Sequence, residues 1–127
     1  LKNESESKYI YRLTSHLAKN TVNSFKELLK QKPQFKEKDF KAEFNLLQGI
    51  YLFENGKLIE SLPFFEKAEA TSDWRKNTIA LRYQLDVYLK SKMEIKKVTR
   101  LIEKIEIADY NKLTFRLDDL TQKYNLN

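Results

Sequence analysis

The chain contains no cysteine. Disulfides, thiolate zinc sites and thiol catalysis are therefore excluded. Two glycines and two prolines in 127 residues are too few turn residues for a fold of many short strands. The longest uninterrupted apolar run, Ile50 to Phe53, falls far short of the ~20 residues a membrane-spanning helix needs. No signal-peptide pattern appears in the polar opening LKNESESK. There is a single histidine, His16, and no glycine-rich phosphate loop. The chain starts at Leu1 without an initiator Met, and is expected to be part of a longer or processed protein.

What is present points one way. A chain that is 41% hydrophobic and 13% aromatic is too apolar for a disordered segment and long enough to bury a core. Leu, Lys, Glu, Gln and Ala are frequent, and all are good helix formers. The expected fold class is all-α, with about seven antiparallel helices in a single domain. The net charge of +6 in a chain with 33% charged residues is what a lysine-rich solvated surface produces.

Helical periodicity places these elements. The first runs from about Ser5 to Lys19 with Ile10, Leu13 and Leu17 on one face. The second, about Thr21 to Gln31, buries Val22, Phe25, Leu28 and Leu29 and stops before Pro33. KPQFKEKD follows as a linker, basic at one end. Asp39 is the expected N-cap of a third helix. That helix carries two stripes: Phe40, Phe44, Leu47 and Tyr51 on one face, and Leu46, Ile50 and Phe53 on another. A helix apolar on two faces is expected to be sandwiched between neighbours. Asn55 and Gly56 end it.

The fourth helix, about Lys57 to Ala70, turns Leu58, Leu62, Phe65 and Ala68 inward. The fifth runs from Trp74, capped by Asp73 or Ser72, to about Lys90, with Ile79, Ala80, Tyr83 and Val87 inward. Ser91 to Glu94 form a capping box before a sixth helix with Val98, Leu101, Ile102 and Ile105 on one face. A seventh begins near Asp109, with Tyr110, Leu113, Leu117, Leu120 and Tyr124 as its stripe.

The unit from about Ala42 to Asp73 holds both glycines. Gly49, Gly56, Ser61, Phe65 and Ala68 fall at the small, turn, small, aromatic and small positions of a 34-residue helix pair, and Phe44, Leu47 and Tyr51 carry its large apolar spacing one residue early. On these residues the chain resembles a degenerate tetratricopeptide repeat. A one-residue longer turn reconciles the two halves. The resemblance implies a tetratricopeptide-like α-solenoid or an irregular helical bundle, with the first helix of each pair lining a concave side. Asn45, Phe53, Arg75 and Arg82 are then the candidates for a groove that binds a protein or peptide. The family's Lys/Arg/Asn clamp on a peptide carboxylate is not visible, since Leu46 and Ile50 hold those positions.

No enzyme signature accompanies this pattern, and no cofactor is implied. A lone helical His such as His16 is ordinarily a surface residue. Asp118 and Asp119 are adjacent and on a helix point ~100° apart, so they cannot converge on one metal ion. The sixth helix and its entry carry Lys90, Lys92, Lys96, Lys97, Arg100 and Lys104 against Glu94 and Glu103 among them. Lys97, Arg100 and Lys104 form a basic stripe expected to stand opposite the apolar face, a candidate nucleic-acid contact. The expected function is a non-catalytic protein- or peptide-binding scaffold. The alternatives are a sensory or regulatory domain of a larger bacterial regulator, and nucleic-acid binding through the 90–104 stripe.

Overall fold

The computed structural model describes residues 5–91 and 95–108. Those residues form six helices and no strand: α1 (Glu6–Ala18), α2 (Val22–Leu29), α3 (Lys38–Glu54), α4 (Leu58–Ala68), α5 (Trp74–Lys90) and α6 (Ile95–Ala108). The all-α expectation holds. The remainder of the Ser91–Glu94 capping box and the seventh helix expected from Asp109 lie outside the described residues.

Local chemistry sets most boundaries. The Ser5 side chain accepts the Lys8 N–H at 3.2 Å and caps α1. Asn20, at φ 57, ends it in the left-handed region that Asn tolerates. Gly56, at φ 79, makes the turn from α3 to α4 in the same way, with open space where a side chain would stand. Asp73 caps α5 by accepting the Arg75 N–H at 2.9 Å. Pro63 sits inside α4 on its exposed side, where water can satisfy the carbonyl deprived of its partner.

Asp39 does not cap α3. The N-cap position is Glu37, without a side-chain cap bond of its own. The carboxylate of Glu6 instead accepts the backbone N–H groups of Lys36 and Glu37 at 3.1 and 3.2 Å. Glu6 thus ties the two residues that lead into α3 to α1, without capping the first turn of α3 itself. Asp39 stands in the first turn and accepts the Ser72 hydroxyl, and the Ser72 N–H at 2.8 Å, tying the α4–α5 turn to the start of α3.

These two bonds to Ser72 hold the Asp39 carboxyl below its usual pKa of 3.8. A carboxyl depressed in the folded state stabilises fully above its unfolded pKa and loses that contribution as pH falls through the folded value. Asp39→Asn is therefore expected to lower the melting temperature at neutral pH. The gap from the native chain should close as pH falls below the ordinary carboxylate range, as read from thermal melts at a series of pH values.

Three apolar clusters follow one another along the chain. Tyr9, Ile10 and Leu13 of α1, Phe25 and Leu28 of α2, and Phe44 and Leu47 of α3 form the first. Leu46, Phe65, Ala68, Ala80 and Val87 join α3, α4 and α5 in the second. Leu81, Leu85 and Tyr88 meet Val98, Leu101 and Ile105 of α6 in the third. The two stripes of α3 divide as expected: Phe40, Phe44, Leu47 and Tyr51 face α1 and α2, and Leu46, Ile50 and Phe53 face α4 and α5. Because Tyr9 is 1% exposed, its hydroxyl needs a partner, and it donates to the Leu28 carbonyl at 2.8 Å.

Gly49 and Phe65 mark a close approach of α3 to α4. A Cβ on Gly49 would lie 2.6 Å from Cε1 of Phe65, well inside van der Waals contact. Ser61, fully buried, spends its hydroxyl on the Leu58 carbonyl of its own helix. Farther along, the Glu69 carboxylate accepts from Gln84 at 2.6 Å and from Lys104 at 3.4 Å, linking α4, α5 and α6. The expected inward set of α5 shifts in one place. Ile79 is exposed, because Ala80, Leu81, Gln84, Leu85, Val87 and Tyr88 take up the faces turned to α4 and α6.

Candidate functional site

An open groove of about 410 Å³ lies between the C-terminal end of α3 and the middle of α5, lined by Phe53, Ile79, Arg82, Tyr83 and Asp86. Two aromatic rings line it, Phe53 and Tyr83, and a third, Phe65, backs them from below. Tyr83 stacks on the fully buried Phe65 at 4.8 Å and 8°. Phe53 meets Tyr83 edge-on at 5.1 Å and Phe65 at 6.4 Å. Gly49 allows the Phe65 ring to reach this position, so the close helix approach and the groove share one cause. The Lys90 ammonium stands 4.8 Å from the centre of the Phe53 ring, within cation–π range.

Burial, with Glu54 and Asp86 nearby, pushes the Tyr83 phenol above its usual pKa. It therefore stays neutral and can donate or accept a hydrogen bond. The groove offers an apolar patch bordered by charges of both signs: Arg82, Asp86 and Lys90. It can seat an apolar side chain and align polar groups beside it. Among the described residues, no group of three His, Asp or Glu is placed to hold a metal ion, and no helix is long and apolar enough to cross a membrane.

The expected site residues separate. Phe53 and Arg82 come together in this groove. Asn45 does not join them. It is buried, donates to the Lys41 carbonyl at 3.1 Å, and lines a different cleft toward the start of α3. The offset follows from helical geometry, since eight residues at 100° each turn position 45 about 80° away from 53. Arg75 lies over the ring of its neighbour Trp74 at 5.3 Å, two turns before Arg82 and outside the groove.

The basic stripe is also divided. Lys104 pairs with Glu69, and Lys97 lies 5.8 Å from the Tyr88 ring. Both flank the apolar face of α6 rather than stand opposite it, while Arg100 is exposed. Ile79 and Asp86 were not singled out from the sequence as groove residues. Their signal was available, because 79, 82, 83 and 86 share one helical face with Arg82.

Comparison of the chain with protein-family models, with curated proteins and with solved structures finds no match.

Proposed function

We propose that this chain is a non-catalytic binding scaffold of tetratricopeptide-like helix pairs, which seats a protein or peptide segment in the groove between α3 and α5. The observation that carries the reading is the groove itself. Phe53 and Ile79 offer an apolar seat on a rigid aromatic floor, and Arg82 and Asp86 stand beside it. Rigid aromatic floors suit recognition because little side-chain freedom is lost on binding.

The repeat reading draws support from side chains that meet across about one repeat length. Asp39 reaches Ser72 and Glu43 reaches Lys76, each 33 residues on. The helices α3 and α5 are both 17 residues long. Gly49 and Gly56 do the packing and turning that such a pair needs. The nucleic-acid alternative draws less support, since Lys104 is already paired with a carboxylate.

The test is affinity capture from native lysate at physiological salt, beside a Phe53→Glu, Arg82→Glu variant with an unchanged circular-dichroism spectrum. A specific protein retained by the native chain and lost by the variant is the expected result. A partner set unchanged in the variant overturns the groove assignment, and salt-labile nucleic acid alone overturns the proposed function.

A further inference from the structure

A second cleft, of about 740 Å³, opens between the segment after α2, the first half of α3 and the end of α4. Its origin is the shortness of α2. That helix is 8 residues long, so chain without helical structure (Lys32, Phe35) rather than helix borders the outer face of α3 here. Lys32, Lys38, Lys41 and Lys67 line the cleft, with Glu66 as the only acidic residue among its lining. Two of these ammonium groups come from opposite walls and lie over aromatic rings, Lys32 over Phe44 and Lys67 over Phe64, each at 5.8 Å.

Three lysines outside the cleft meet carboxylates: Lys30 with Glu27, Lys76 with Glu43, Lys104 with Glu69. Among the described residues none of the four cleft lysines does so. Lys38 and Lys41 also sit at the start of α3, where the helix dipole disfavours cations. Four lysines and one glutamate around a concave, partly aromatic surface give it a net positive charge, which is complementary to a negative occupant.

From this lysine-lined, aromatic-floored cleft we infer that the protein binds a short acidic peptide segment, whose carboxylates meet Lys32, Lys38, Lys41 and Lys67 while an apolar side chain seats between Phe35 and Phe64. A nucleic-acid strand fits the cleft less well. Arginine, the side chain suited to forked phosphate contacts, is absent from its lining. Phe44 is buried at 5% exposure and cannot offer a stacking face, and Phe35 and Phe64 are half-buried. This inference stands apart from the α3–α5 groove and does not depend on it.

The experiment is fluorescence anisotropy of the full chain with a labelled Glu/Asp peptide of about twelve residues carrying one central Phe. The comparison probes are the same peptide with Gln and Asn in place of the acids, and an oligothymidylate of equal charge. The test variant is Lys38→Glu, Lys41→Glu, which keeps its fold because carboxylates are favoured in a first helical turn. Lys26→Glu, Lys30→Glu, on α2 and at its C-cap, makes the same change in net charge at positions that do not line the cleft. The expected result is a loss of acidic-peptide affinity on the order of tenfold or more in the first variant and below about twofold in the second. The neutral peptide should bind weakly to both.

Equal loss in the two variants would reduce the effect to net charge and overturn the inference. So would tighter, competing binding of the oligothymidylate, or no binding of the acidic peptide. The Phe53→Glu, Arg82→Glu variant should bind the acidic peptide as the native chain does. If it alone loses the peptide, the ligand belongs to the α3–α5 groove, and this second site falls while the proposed function stands.

Discussion

Phe65→Ala is expected to destabilise the fold by about 4 kcal/mol, within the range for removing a fully buried Phe. The ring is 0% exposed and serves three neighbours. It packs on the bare backbone of Gly49, stacks on Tyr83, and meets Phe53 edge-on. Removing it leaves a void whose walls belong to three different helices, so collapse of one wall opens another. Urea denaturation followed by circular dichroism should show a lower midpoint with an unchanged slope. A shift corresponding to less than about 1 kcal/mol would show that the site closes over the void and that Phe65 does not hold α3 to α4. The same variant should weaken any ligand of the α3–α5 groove, since Tyr83 and Phe53 lose the surface they rest on.

Gly49→Val approaches the same contact from the other side and is expected to cost about 3 kcal/mol through overpacking. Two opposing effects decide the sign. Replacing Gly inside a helix ordinarily gains up to about 1 kcal/mol of propensity, less for a β-branched residue. Against this, a Cβ would lie 2.6 Å from Cε1, 2.7 Å from Cδ1 and 3.0 Å from Cζ of Phe65. The ring cannot swing clear, because Tyr83 lies flat against it at 4.8 Å. The helices must part, and the steric cost wins.

Combining the two substitutions provides the sharper check. Valine at 49 partly fills the void left by alanine at 65, so the double variant should be more stable than the sum of the single losses by roughly 1–2 kcal/mol. Strict additivity would mean that Gly49 and Phe65 act independently, contrary to their contact.

The reading of Gly49 and Gly56 shows why part of this structure was legible from sequence. Both positions stand out against a chain with no other glycine, and each answers a local demand, a close helix crossing and a left-handed turn. The two stripes of α3 were legible for a similar reason, because a second apolar face at helical spacing has no use without a second neighbour. Asp39 was misread as a cap because the helix starts one residue before it, at Lys38, and its carboxylate is taken by Ser72, 33 positions on. Ile79 was misread as inward because periodicity gives the width of an apolar face but not where neighbouring helices meet it. Of the candidate groove residues, Phe53 and Arg82 meet, whereas Asn45 and Arg75 point to other surroundings.

The sequence by itself determined that the chain is helical, roughly where each described helix begins and ends, and which faces are apolar. Caps, glycines, prolines and a 3.6-residue period act over a few residues and are written in adjacent positions. Only the tertiary structure decided which polar side chains share a surface. Phe53 meets Tyr83 because Gly49 lets Phe65 slide beneath both, and Lys32 and Lys67 line one cleft because α2 ends early and nonhelical chain borders α3 there. Such meetings depend on helix phase and crossing, quantities set by packing between residues 16 or more positions apart, and no local pattern records them.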